Sequence, residues 1–129
     1  MKADKKYDSQ QHFWEHAGKE GYNNIIFSNS VVANHIVGKQ NAAALSAAKS
    51  LGLDEKARVL ELGCGDGEFA EYVLSPCFQH IDAFEQSVSA VEQARLRSKG
   101  NNIQYHVADL TTHNFDHEER WDGAFCIAF

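Results

Sequence analysis

Val59-Leu60-Glu61-Leu62-Gly63-Cys64-Gly65-Asp66-Gly67-Glu68-Phe69 decides how this 129-residue chain is to be read. An apolar run carrying one acid breaks into Gly-x-Gly-x-Gly and then resumes in a helix-like pattern. Strand, tight loop and helix start therefore follow one another without a spacer. Glycine at alternate loop positions lets a ligand approach the main chain closely. The N–H groups that open the following helix face such a ligand with the positive end of the helix dipole. The stretch reads as a cofactor loop.

Downstream of it, strand and helix patterns alternate. The first strand is expected over Lys56–Leu62, apolar on successive positions as in a strand buried on both faces. A short helix over Glu68–Leu74 stops at Ser75-Pro76. His80–Glu85 (HIDAFE) is a second strand ending in an acid, and Ser87–Lys99 is a helix with Val88, Val91, Ala94 and Leu96 on its apolar side. Ile103–Ala108 is a third strand leading to Asp109, and Gly123–Phe129 (GAFCIAF) is a fourth. Such alternation predicts an α/β fold with a parallel sheet. Upstream, His12–Phe27 is rich in aromatic residues and broken by Gly18 and Gly21, which predicts a short helix and a loop lying over something. Ser28-Asn29-Ser30 offers N-cap chemistry to an alanine-rich helix that runs to Ser50, with Gly38 as a kink or break and Gly52 as its stop.

Composition bounds the rest. Apolar residues make up 43% and charged residues 23%, as in a globular domain. A net charge of −6 leaves no basic excess to neutralise phosphates, against nucleic acid or an anionic membrane as partner. No stretch has the length of a membrane span, and the polar opening lacks the apolar core of a signal peptide. Cys64, Cys77 and Cys126 are an odd set without metal-ligand spacing, which suits reduced thiols and a cytoplasmic location. His12/His16 and His113/His117 are spaced for one helical face but lack a third ligand, so no metal site is expected.

In a parallel sheet, ligands bind at the carboxyl ends of the strands. The glycine loop, Glu85, Asp109 and the end of the fourth strand all fall there. Glu85 follows the loop at the spacing of a carboxylate that accepts hydrogen bonds from a ribose diol, so the cofactor should contain a nucleoside. Dinucleotide folds share that feature, but their fingerprint is Gly-x-Gly-x-x-Gly. Here the third glycine, Gly67, comes one position early, and Glu68 takes the place the fingerprint gives to glycine. With Glu61 just ahead of the loop, the negative charge suits a cationic ammonium and sulfonium better than a diphosphate.

VLELGCGDGEF resembles motif I of the class I S-adenosylmethionine-dependent methyltransferases. HIDAFEQS is similar to that family's acidic second strand, VADL to its third-strand acid and WDGAFCIAF to its fourth strand. The resemblance covers roughly residues 57–129. It implies a Rossmann-like parallel sheet with flanking helices, incomplete at about four strands against the family's seven. Residues 1–56 would then be an N-terminal helical lid and linker helix, and 57–129 a cofactor-binding half-domain. It implies S-adenosyl-L-methionine as cofactor and a small-molecule methyl acceptor. Gly63, Cys64 and Gly65 would line the methionine portion, with Glu61 serving its ammonium. Glu85 would hold the ribose hydroxyls, with Gln86 beside the adenine. Asp109 would meet the adenine amino group and Leu110 the ring. Cys126 to Ala128 would border the donor methionine, and Tyr22, in an aromatic segment similar to the family's lids, would add a contact. No catalytic residue is assigned, because a nucleophilic acceptor needs no base. An apolar fourth strand left at the edge predicts a fragment of a longer protein that self-associates there. Two rival readings are a non-catalytic nucleoside-binding or dimerisation module and an NAD-dependent oxidoreductase.

Overall fold

A computed structural model describes Glu15, residues 31–115 and residues 120–127, with backbone alone for 31–37. The quoted stretch forms the inner strand β1 (Arg58–Leu62). It pairs in parallel with β2 (His80–Glu85) on one side and β4 (Gly123–Phe125) on the other, and β3 (Ile103–Val107) adds to β2. The order is β3-β2-β1-β4, so the expected parallel α/β sheet is present. Val59, Leu60 and Glu61 are all buried, as a strand with neighbours on both edges and cover on both faces requires.

Register fixes what each face carries. Val59 is level with Ile81 and Ile81 with Ile103. That row packs under helix α1 (Val31–Ser50) and the short helix α2 (Ala70–Leu74), with Ala48, Leu74, Phe78 and Phe125 completing one cluster. The Phe125 ring lies 5.8 Å from Phe69 and 5.9 Å from Phe78, both tilted, the geometry aromatic quadrupoles favour. Farther along the same face, helix α3 (Val88–Arg97) lays Ala90, Val91 and Ala94 over the sheet near Ala83 and Tyr105. The opposite face is covered by aromatic residues from the loop after β3 and the approach to β4. Phe84 stacks on His106 at 4.6 Å, and Phe115 and Trp121 meet it edge-on.

Several expectations are sharpened. α1 runs as one continuous helix through Gly38, with no split there. It stops at Gly52, whose φ is +83°, where Gly52 N–H donates to Lys49 O and Leu53 N–H to Ala48 O. Those two bonds are a Schellman motif, and glycine is there because the left-handed backbone excludes a Cβ at low cost. Lys56 stands ahead of β1, in a turn where its N–H donates to the Asp54 carboxylate. Val88 and Leu96, expected on the apolar side of α3, are 50% and 84% exposed, and Ala90 takes the inward place. The docked helix turns Ala90, Val91 and Ala94 toward the sheet, and sequence periodicity ranks residues by apolarity rather than by which side of the helix the sheet covers. β4 ends at Phe125, short of the expected fourth strand, since Cys126 and Ile127 have left the sheet. Apart from Glu15, the expected short helix and loop of 12–27 lie outside the described residues, as do the caps at 28–30 and residues 128–129.

Candidate functional site

Strand β1 is where the sheet's order reverses: β2 and β3 lie to one side and β4 to the other. In open parallel sheets ligands bind beyond the carboxyl ends of the strands at such a reversal. The loop that begins there turns sharply, with φ of +73° at Gly63, +57° at Gly65 and +86° at Gly67. Gly63 N–H and Cys64 N–H both donate to Phe84 O, at 2.9 and 3.0 Å, so the loop is sewn to the end of β2. Gly67 has a second reason to be glycine. A Cβ there would come within 2.7 Å of Tyr105 Oη and 2.9 Å of Ala94 Cβ. The third glycine thus serves the close approach of loop, α3 and β3.

Glu85 ends β2 and is buried. Its Oε2 accepts Gly65 N–H at 2.9 Å and its Oε1 accepts Ser87 N–H at 3.0 Å. An ionised carboxylate has about four lone-pair directions, so this anchoring leaves acceptor capacity for a ligand. Ser87 caps α3, its Oγ accepting Ala90 N–H at 3.2 Å. Glu85 is therefore held at both oxygens, by the loop on one side and the helix start on the other.

Glu61 is buried at 3% exposure, and its Oε2 has no hydrogen-bond partner among the described residues. Burial, then the negative charges of Glu85 and Asp66, push its pKa up to about 8. A buried acid without a donor is costly, and such groups cluster where a ligand completes them. Asp66 is turned aside: Arg97 Nη2 pairs with its carboxylate and Nη1 with its carbonyl oxygen, both at 3.3 Å. Cys64 packs its sulfur in the core with Ala70, Ala83 and Val91. Burial, reinforced by Glu61 and Glu85, raises its thiol well above the ordinary range, so it is no nucleophile.

Of the expected residues, Glu61, Gly63, Cys64, Gly65 and Glu85 come together around the end of β1, with the half-buried Gln86 following Glu85 in the chain. Asp109 lies exposed just past β3, its carboxylate accepting Thr111 N–H at 2.9 Å and Thr111 Oγ1 at 2.6 Å. Those bonds hold its pKa below the usual carboxylate value. Leu110 is half-buried against the cluster of Leu60, Phe84 and Ala108. Cys126 is exposed one residue past β4, and Tyr22 lies outside the described residues. Sequence reasoning missed the roles of Arg97 and Ser87. A serine ahead of a helix was a readable cap signal for Ser87. Nothing near Arg97 in sequence points to Asp66.

Residues 59–129 match the family model described as a methyltransferase domain. No curated protein sequence matches the chain. Among solved structures, it resembles phosphoethanolamine N-methyltransferase 1 of Haemonchus contortus, in complex with phosphoethanolamine and S-adenosylhomocysteine. That match has 23% identity and a TM-score of 0.68, over 88% of this chain and 23% of the other. A second is an S-adenosylmethionine-dependent methyltransferase from Thiobacillus denitrificans in complex with S-adenosylhomocysteine. It has 27% identity and a TM-score of 0.52, over 67% of this chain and 35% of that one. A third is coclaurine N-methyltransferase bound to N-methylheliamine and S-adenosylhomocysteine, at 26% identity and TM-score 0.55, over 67% and 26%. In each case the chain spans about a third or less of the matched protein's length.

Proposed function

The chain belongs to the methyltransferase-domain family, and from that premise we propose that it binds S-adenosylmethionine and forms the donor-binding part of a methyltransferase for a small-molecule acceptor. The observation that carries this reading is the buried Glu61 Oε2, unpartnered among the described residues, beside Glu85 at the start of the glycine loop. A cationic amino acid joined to a nucleoside fits that pair, because an ammonium supplies the donor Glu61 lacks and a ribose diol supplies donors for the free lone pairs of Glu85. A diphosphate would offer neither Glu61 nor Glu85 a donor and would bring negative charge beside them. Gly63, Cys64 and Gly65 would line the methionine portion with their backbone. Gln86, Asp109 and Leu110 would face the adenine, and Cys126 would border the donor methionine, with Tyr22 as a further contact.

When bound, the cofactor supplies an electrophilic methyl group on sulfur. The protein's part is to hold donor and acceptor in line and to exclude water. No residue of this chain is assigned as an acid or base. The coclaurine and phosphoethanolamine enzymes are named for small amine acceptors, which supports a small acceptor here without choosing one. No helix among the described residues is long and apolar enough to cross a membrane.

Calorimetric titration with S-adenosylhomocysteine and with NAD tests the reading. Binding of S-adenosylhomocysteine alone is expected, and binding of NAD alone would overturn it. A nucleoside-binding or dimerisation module is a second reading. It is favoured by the edge strand β4, which pairs only with β1 among the described residues and leaves Ala124 and Cys126 exposed. A concentration-dependent dimer by sedimentation, with S-adenosylhomocysteine bound and no methyl transfer, would support it.

A further inference from the structure

The first turn of α3 is held by an acid from a distant part of the chain. Val88 N–H donates to Glu15 Oε1 at 2.7 Å across a separation of 73 residues. Ser89 Oγ lies 3.0 Å from Glu15 Oε2 and 3.1 Å from the Glu15 carbonyl oxygen. One residue earlier in the same turn, Ser87 N–H donates to Glu85, and Glu85 accepts Gly65 N–H from the glycine loop. Ser87 Oγ, 3.1 Å from Ser89 Oγ, closes the gap between the two acids. One hydrogen-bonded line thus runs from the glycine loop through Glu85 and the start of α3 to Glu15.

The geometry points to Glu15 as a positioning residue for the nucleoside end of the cofactor site: its clamp on α3 and a cofactor's hold on Glu85 strengthen each other through the turn they share. This rests on the reading of Glu85 as the ribose-binding acid. The first N–H groups of a helix have no partners within it, and a carboxylate placed there also meets the positive end of the dipole. Glu15 satisfies one such donor, Val88 N–H, while Ser87 Oγ satisfies another, Ala90 N–H. Hydrogen bonds from Ser89, Ser87 and Val88 outweigh burial and hold Glu15 below its ordinary pKa, so it is charged at neutral pH. Releasing Glu15 lets the first turn fray, and the fixed donor on Glu85 Oε1 goes with it. Coupling between two binding events is reciprocal. A nucleoside on Glu85 must therefore tighten the grip of Glu15 by the factor that Glu15 contributes to nucleoside binding.

The test combines titration with S-adenosylhomocysteine and residue-resolved amide hydrogen exchange on the whole chain. Glu15→Ala is expected to raise Kd about 5- to 10-fold and to speed exchange at Val88. Glu15→Gln, which keeps an acceptor for Val88 N–H, should stay within about threefold of the parent. In the parent, ligand should slow exchange at both Ser87 and Val88; in Glu15→Ala it should slow Ser87 alone. Ser89→Ala attacks the same contact from the helix side, so it should shift Kd in the same direction, and the double variant should bind no worse than Glu15→Ala. Faster Val88 exchange with Kd unchanged within twofold, or additive losses in the double variant, would overturn the inference alone. Failure of the parent to bind S-adenosylhomocysteine would overturn the cofactor reading and this inference with it.

Discussion

Replacing Glu61 by glutamine should make the protein more stable and the site weaker, by amounts that depend on pH. An ordinary glutamate ionises near 4.5, whereas Glu61 is pushed up to about 8 by burial, Glu85 and Asp66. Its folded-state pKa is raised, so the folded chain holds one proton more than the unfolded chain between those values. Its contribution to stability is therefore full below pH 4.5 and is lost as pH rises through 8. At about 1.4 kcal/mol per tenfold change, the charge costs the fold about 3 kcal/mol at pH 7 and about 5 kcal/mol above pH 8. That is a large share of the total stability of a small domain. Glutamine has the same shape and no charge to bury. Urea denaturation of Glu61→Gln and parent, side by side from pH 5 to 9, reads the difference, because titrating groups that do not interact with Glu61 cancel. The two should agree within about 1 kcal/mol at pH 5, and the variant should gain about 1.4 kcal/mol per pH unit up to pH 8. Affinity for S-adenosylhomocysteine should move the other way, falling in the variant, and in the parent it should rise with pH as Glu61 becomes free to pair with an ammonium. Parallel stability profiles would refute the argument, since they would mean that Glu61 is solvated or paired in the folded chain.

Gly67→Ala combines a left-handed backbone with a Cβ 2.7 Å from Tyr105 Oη, and should cost about 2–4 kcal/mol in denaturation experiments. Pairing it with Tyr105→Phe should restore part of that loss. Arg97→Ala leaves the buried Asp66 without its ion pair, and should cost about 1–3 kcal/mol while weakening S-adenosylhomocysteine binding through a loosened loop. Equal affinity would show that Asp66 does not shape the loop. Phe125→Ala removes the ring packed on Phe69 and Phe78, at about 3–5 kcal/mol by thermal or chemical unfolding. Asp82 is opposed by burial, but hydrogen bonds from His106 and Trp121 win and hold its pKa below the ordinary value. Its stabilisation is present above the unfolded-state pKa and is lost as pH falls through the folded one. Asp82→Asn should therefore flatten the acid limb of the stability profile.

β1 and β2 were legible because each is a short apolar run ended by glycine or an acid, and β2 appears over the residues the pattern marks, His80–Glu85. The glycine loop was legible for a related reason: a sharp turn after a buried strand needs positive φ, and only glycine adopts it cheaply. α3 shows the limit. Its periodicity favours Val88 and Leu96, yet the docked helix turns both outward, and Ala90, Val91 and Ala94 are the residues buried. Asp109 shows another limit, since the same acid can face a ligand or cap a turn, and its bonds to Thr111 display the second role.

VLELGCGDGEF by itself determined that a strand would hand a glycine loop to a helix start, and that an acid would stand beside it. Those facts are local, set by backbone sterics and the alternation of apolar residues over a few positions. Only the tertiary structure decided what each acid does. It buries Glu61 with its Oε2 unpartnered among the described residues, ties Glu85 between Gly65 and Ser87, gives Asp66 to Arg97 and brings Glu15 to the first turn of α3. A carboxylate's charge and role depend on which donors lie within about 3 Å. Here those donors come from residues up to 74 positions away in the chain.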